Sequence, residues 1–173
     1  MNRLTLALLA ALGSTACLAL EKPYVGIDYQ VQTQDFGASV EAEPDALRIR
    51  MGSDVNSFLS VEAQAGLGMS SDSVIVDTAG TTWDVQTDSF YALFLKPRVD
   101  IGDSASIFAL VGGSYLDLSA SSNTGKSETG FEHGFAYGFG ADVKVYKQLR
   151  FSADFIQYLD DVSAVSVGVR IPL

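Results

Sequence analysis

The chain has one histidine, His133, and one cysteine, Cys17. Near His133 lie Ser127 and Glu132, so a hydroxyl, a carboxylate and an imidazole fall within a few positions. Such groups carry out general acid–base or nucleophilic hydrolysis when a fold holds them within hydrogen-bond reach. Here only loop folding could assemble them. A lone loop histidine is ordinarily solvated, so the sequence predicts no catalytic residue. Cys17 falls in a leader segment, and cysteine nucleophiles and zinc fingers go with it.

Acidic side chains are the next candidates. Asp35, Glu41, Glu43, Asp45, Asp72, Asp77, Asp84, Asp88, Asp117, Glu128, Glu132, Asp160 and Asp161 fall between apolar runs, with Lys126 almost alone against them. Such a field would concentrate divalent cations and could bridge through them to an anionic lipid surface. No segment has the spacing of a dedicated calcium loop, so a solvated, repulsive surface is the simpler reading. No metal site and no cofactor is expected. The formal net charge of −10 at pH 7 argues against nucleic acid as a partner.

A second set of charges alternates with apolar residues: Asp28, Arg48, Arg50, Glu62, Lys96, Arg98, Asp142, Lys144, Arg150, Asp154 and Arg170. The elements that must position them are strands. In Val162 to Leu173, residues Val165, Val167, Val169, Ile171 and Leu173 form one face, and Ala164, Ser166, Gly168, Arg170 and Pro172 the other. That is period-two alternation with two different environments. An arginine on a lipid face would cost about 2–4 kcal/mol near the bilayer midplane, and Arg170 lies on the opposite face.

The pattern recurs over Tyr24–Gln32, Ala46–Gly52, Leu59–Gly68, Ser89–Val99, Ser106–Leu116, Gly134–Val145 and Leu149–Tyr158, which makes eight strands with the last. Two of them are less clean: Phe90 and Phe94 share the polar side of the fourth, and Phe108 and Leu110 that of the fifth. Pro97 and Pro172 each remove a ladder donor and belong near strand ends or irregularities. The spacers Ser53–Ser57, Asp100–Ser104 and Tyr146–Gln148 are short. They alternate with Thr33–Asp45, Met69–Asp88 and Asp117–His133, which are long and polar, while Asp160-Asp161 is a tight connection on the long side. Short turns on one rim and long loops on the other predict periplasmic turns, external loops and both termini on the periplasmic rim.

Residues 1–19 have the charged start, apolar run and small residues of a secretory signal, with cleavage expected after Ala19. The rival is lipid attachment at Cys17, but Ser14 stands where a bulky aliphatic residue would be expected. Residues 20–173 then form one domain. No later segment approaches the ~20 apolar residues of a membrane helix, whereas a barrel strand needs only about 9–11.

Four stretches carry a resemblance: Tyr24-Val-Gly-Ile-Asp-Tyr29, Leu59-Ser-Val-Glu-Ala-Gln64, Phe135-Ala-Tyr-Gly-Phe-Gly-Ala141 and the alternating C-terminus. Together they resemble the small eight-stranded outer-membrane β-barrels of the OmpA/OmpX type. The resemblance implies an all-β, eight-stranded antiparallel up-and-down transmembrane barrel in the cell outer membrane. It implies contact with outer-membrane lipid including lipopolysaccharide, passage by periplasmic chaperones and the barrel-assembly machinery, and a monomeric state. The C-terminal face Val165, Val167, Val169, Ile171 and Leu173 would be the assembly signal, although such proteins usually end in phenylalanine. Deacylase-like relatives carry a serine two residues after a rim histidine; Phe135 stands there instead. Omptin-like proteases need two more strands.

Three functions remain to weigh. At this strand number the interior is just wide enough for side chains to fill, so a hydrogen-bonded plug with a structural or surface-interaction role (membrane integrity, adhesion or tethering) is favoured over a small porin-like ion path. A soluble lipocalin-like binding barrel would place the Val/Ile/Leu faces inside. The plug predicts Arg48 or Arg50 opposite Glu62, and Asp28 near Arg170. Trp83, Tyr91, Tyr115, Phe131 and Tyr158 are predicted to form an aromatic girdle.

Overall fold

The alternating segments become ten β-strands in the computed structural model, which describes residues 21–35, 41–75, 82–123 and 127–173. They are β1 (Glu21–Asp35), β2 (Glu41–Ala42), β3 (Asp45–Asp54), β4 (Leu59–Gly68), β5 (Asp72–Ile75), β6 (Thr82–Ile101), β7 (Ala105–Ser122), β8 (Ser127–Tyr146), β9 (Leu149–Leu159) and β10 (Val162–Pro172). Eight of them are staves; β2 and β5 are short outer strands on β1 and β6. All pairings are antiparallel. β10 pairs with β1 from Gln34↔Val162 to Tyr24↔Pro172, which closes the sheet and leaves the staves no free edge within the barrel. The expected signal segment, Asp77 and Lys126 lie outside the described residues.

The two faces of each stave separate by environment. Ile27, Ile49, Leu95, Ile107, Phe139 and Val167 are exposed, while Asp28, Arg48, Arg50, Glu62 and Lys96 are buried. A soluble barrel would have to do the reverse, so the lipocalin-like alternative fails on the direction of its aliphatic faces. Pro97 falls where the β6–β7 ladder steps from Leu95↔Val111 to Arg98↔Phe108, so its missing N–H breaks no pair of that ladder.

Strand lengths depart from the sequence-based expectation on the long-loop rim. β6, β7 and β8 run for 20, 18 and 20 residues, about twice what a bilayer crossing needs. Parts of the segments expected to be loops are therefore strand: 82–88, 117–122 and 127–133. A second small core holds this extension together. Ala42, Val74 and Val85 are buried there, with Trp83 and Ala120 packed against them. The β8–β9 ladder ends at Tyr137↔Gln157, whereas β8 stays paired to β7 as far as Ser121↔Ser127. The outer part of β8 thus stands above the barrel with one edge outside the β9 ladder.

Candidate functional site

The lumen is where the chain concentrates its buried charge. β1 and β3 are in register at Asp28↔Arg48 and Gly26↔Arg50, so the two arginines flank Asp28 from the neighbouring stave. Arg48 Nε donates to Asp28 Oδ2 at 3.1 Å and Arg50 Nη2 to Asp28 Oδ1 at 2.6 Å. Both guanidinium groups also reach across the interior to β9. Arg48 Nη2 lies 2.6 Å and Arg50 Nη1 3.4 Å from Asp154 Oδ2. Two cations and two anions form a neutral quartet, and its side chains are essentially without solvent contact. Glycine makes room for it: a Cβ at Gly168, directly opposite Asp28, would collide with the Asp28 carboxylate and the Ile27 carbonyl.

The network continues through Gln64. Its Oε1 accepts from Arg48 Nη1 at 3.4 Å and from the Tyr158 hydroxyl at 3.0 Å, and its Nε2 donates to Glu62 Oε1 at 2.8 Å. Glu62 Oε2 in turn takes the Tyr24 hydroxyl and Lys96 Nζ, the latter at 2.8 Å. Nearer the short-turn rim, Arg98 makes a forked pair with Asp54, both contacts 2.8 Å, and Ser60 Oγ donates to the same carboxylate. Arg170 Nη2 lies 2.7 Å from Asp142 Oδ2. Toward the other rim the lumen turns neutral: Gln34 Nε2 donates to Thr87 Oγ1 at 2.9 Å, and the Thr87 hydroxyl donates to Gln32.

The other half of the interior is apolar. Phe90, Phe94, Phe108, Leu110, Leu116, Ile156 and Tyr158 are buried together, with the Phe90 and Tyr158 rings 5.3 Å apart. This accounts for the aromatic residues on the nominally polar faces of the fourth and fifth segments. Phe90 lies over Gly66, where a Cβ would run into its ring. Lys96 joins the two halves, its Nζ 3.8 Å from the Phe108 ring centroid.

Several expected partnerships are replaced. Asp28 meets Arg48 and Arg50 rather than Arg170, because Asp28 is in register with Gly168 and Arg170 with Gly26. Glu62 lies opposite Gly52, not Arg48 or Arg50, because β3 continues to Asp54 and shifts the pairing; its cation is Lys96. Lys144 is exposed and Arg150 half-buried at the short-turn mouth, outside the paired network. Tyr158 points into the lumen and Trp83 into the outer core, so neither belongs to a girdle. Tyr115 and Phe131 are exposed and stacked at 5.8 Å. His133 is exposed opposite Tyr115 on the outward face of β8, while the adjacent Glu132 points the other way. Asp54, Tyr24 and Gln64 were not singled out by sequence. All three have lumenal parity, and Asp54 was hidden in an expected turn.

A closed eight-stave barrel with an aliphatic outer belt and an ion-paired interior is an integral outer-membrane β-barrel. The chain belongs to the outer membrane protein beta-barrel domain family, which it matches over residues 4–169. Its fold is similar to that of Ail, the attachment invasion locus protein of Yersinia pestis (16% identity, 88% of this chain and 98% of that one, TM-score 0.60). Neisserial surface protein A is also similar (14%, 87% and 97%, TM-score 0.59). So is the N-terminal β-barrel domain of Pseudomonas aeruginosa OprF (12%, 86% and 97%, TM-score 0.57). No curated protein matches the sequence.

Proposed function

We propose that the protein is a non-conducting, non-enzymatic outer-membrane barrel with a structural and surface-interaction role. The observation that carries this is the Asp28–Arg48–Arg50–Asp154 quartet, which ties β1 and β3 to β9 across the lumen. An ion path would need those side chains to part, and separating a buried, mutually compensated set of charges is expensive. The test is conductance in planar bilayers. No large steady current is expected; stable, wide pores would overturn the plug and favour the porin-like alternative.

The surface role rests on the raised β6–β7–β8 extension and the edge of β8 that, among the described residues, continues beyond the β9 ladder without a strand partner. Lipid, including lipopolysaccharide, is the partner of the aliphatic belt. The chain acts as a monomer and is delivered by periplasmic chaperones and the assembly machinery. The lipid-facing row Val165, Val167, Val169, Ile171 and Leu173 serves as the assembly signal. Residues 1–19 are a signal peptide, and N-terminal sequencing of the exported protein should begin near Leu20. A lipid-blocked Cys17 would contradict that.

Ail has been solved in complex with the heparin analogue sucrose octasulfate. Equivalent binding on the outer rim of this chain is disfavoured by charge: among the described residues that rim holds the acidic groups and no lysine or arginine. The reading assigns no catalytic role to His133, whose neighbour Glu132 occupies the opposite face of the strand.

A further inference from the structure

The short-turn mouth holds an open recess of about 430 Å³, lined by basic side chains from β1, β6, β8, β9, β10 and the β8–β9 turn together with the carboxylates of Asp54, Asp100 and Asp103. Strand register stacks three cations there. Lys144 of β8 is directly across from Arg150 of β9, and Arg150 directly across from Arg170 of β10. Like charges opposed in an antiparallel ladder repel, so such a row needs compensation. The protein compensates only part of it: Arg170 is paired with Asp142, and Arg98 with Asp54. Among the described residues Lys144 and Arg150 have no ion pair, and Nη1 of Arg150 is buried without a hydrogen-bond partner. Asp100 and Asp103 are the carboxylates that remain on the mouth, and Asp100 lies 3.9 Å from Arg98.

Two further cations arrive in an unfavourable way. Lys22 and Lys147 are the non-glycine residues with positive φ among those described, at 51° and 43°. Asparagine or glycine would suit a left-handed position better, both at the irregular start of β1, where Lys22 lies, and in the β8–β9 turn, where Lys147 lies. Both lysines line the recess.

We propose that this mouth binds a phosphate-bearing anion through Lys22, Lys144, Lys147 and Arg150. A guanidinium with an unused donor, across the ladder from Lys144 and in one recess with Lys22 and Lys147, matches a tetrahedral anion with several acceptor oxygens. Exposed Val145, Tyr146 and Ile171 surround the mouth on the lipid side, which puts it at headgroup level. The phosphate therefore has two sources, a phospholipid headgroup of the periplasmic leaflet or a free phosphate in the periplasm.

The test uses the folded protein in nanodiscs. One arm titrates inorganic phosphate calorimetrically into discs of digalactosyldiacylglycerol alone, a neutral bilayer lipid that carries no phosphate. The other releases the protein from discs containing phosphatidylglycerol and counts retained lipid by native mass spectrometry. Retention of phosphatidylglycerol assigns the site to a headgroup; binding of inorganic phosphate in neutral discs assigns it to a free anion. Either should weaken at least tenfold in K144Q/K147Q, which changes two exposed side chains and should keep its heat-modifiable gel mobility. R150Q should weaken it further, and D103N should strengthen it. Binding in neither arm, or undiminished binding by folded K144Q/K147Q, would overturn the site.

Discussion

The lumen is filled in two different ways, and the contrast shows what each half can tolerate. On the β1–β3–β4 side, filling depends on charge and direction: each guanidinium is aimed at particular carboxylate oxygens in β1 and β9. On the β6–β7–β8 side it depends on volume, with Phe90, Phe94, Phe108, Leu110 and Leu116 packed as an ordinary apolar core. Losing one partner from the first half leaves a buried charge uncompensated. Losing atoms from the second leaves a cavity.

The largest effect should come from breaking the quartet on one side. Asp154→Ala leaves Arg48 and Arg50 sharing Asp28, and should destabilise by about 3–5 kcal/mol in urea-dependent refolding followed by gel mobility. Removing a cation and an anion together, as Arg48→Met with Asp154→Leu, should be near neutral by the same measure, since the Arg50–Asp28 pair survives. If the double variant were as unstable as the single one, charge compensation would not be what organises this half.

In the apolar half, Leu110→Ala should cost about 2–5 kcal/mol and Leu110→Met under about 1.5 kcal/mol, because only the first removes volume. Equal losses from the two would mean that the site reads shape rather than volume. The outer belt is a third environment. Val169→Arg should cost about 2–4 kcal/mol if near the midplane. A lipid-soluble quencher should affect a fluorophore at position 169 far more than one at 168; the reverse would turn the barrel inside out.

The smallest effect is expected on the outer extension. Partial burial, and then the charge of Asp88, raise the Asp117 carboxyl above its ordinary range. A raised carboxyl contributes stability that is complete at low pH and is lost as pH rises through the folded value. Asp117→Asn should therefore stabilise the protein slightly at neutral pH and leave it unchanged once the carboxylates are protonated. The thermal midpoint measured across pH checks this.

The strand faces were legible in the sequence because alternation is local: a residue's parity follows from its neighbours in the chain. That is why Val165, Val167 and Val169 could be separated from Ser166, Gly168 and Arg170 without coordinates, and why eight staves and the unequal rims were readable. Lateral partnership is not local. Glu62 takes Lys96, and Arg170 takes Asp142, because register is decided by where each turn begins and by the stagger with which β10 meets β1. The same stagger gathers Asp28 and Asp154, far apart in the chain, around Arg48 and Arg50. It also aligns Lys144, Arg150 and Arg170 in one row at the mouth. Alternation along the chain decided which side chains turn inward, and closure of the sheet decided which of them meet.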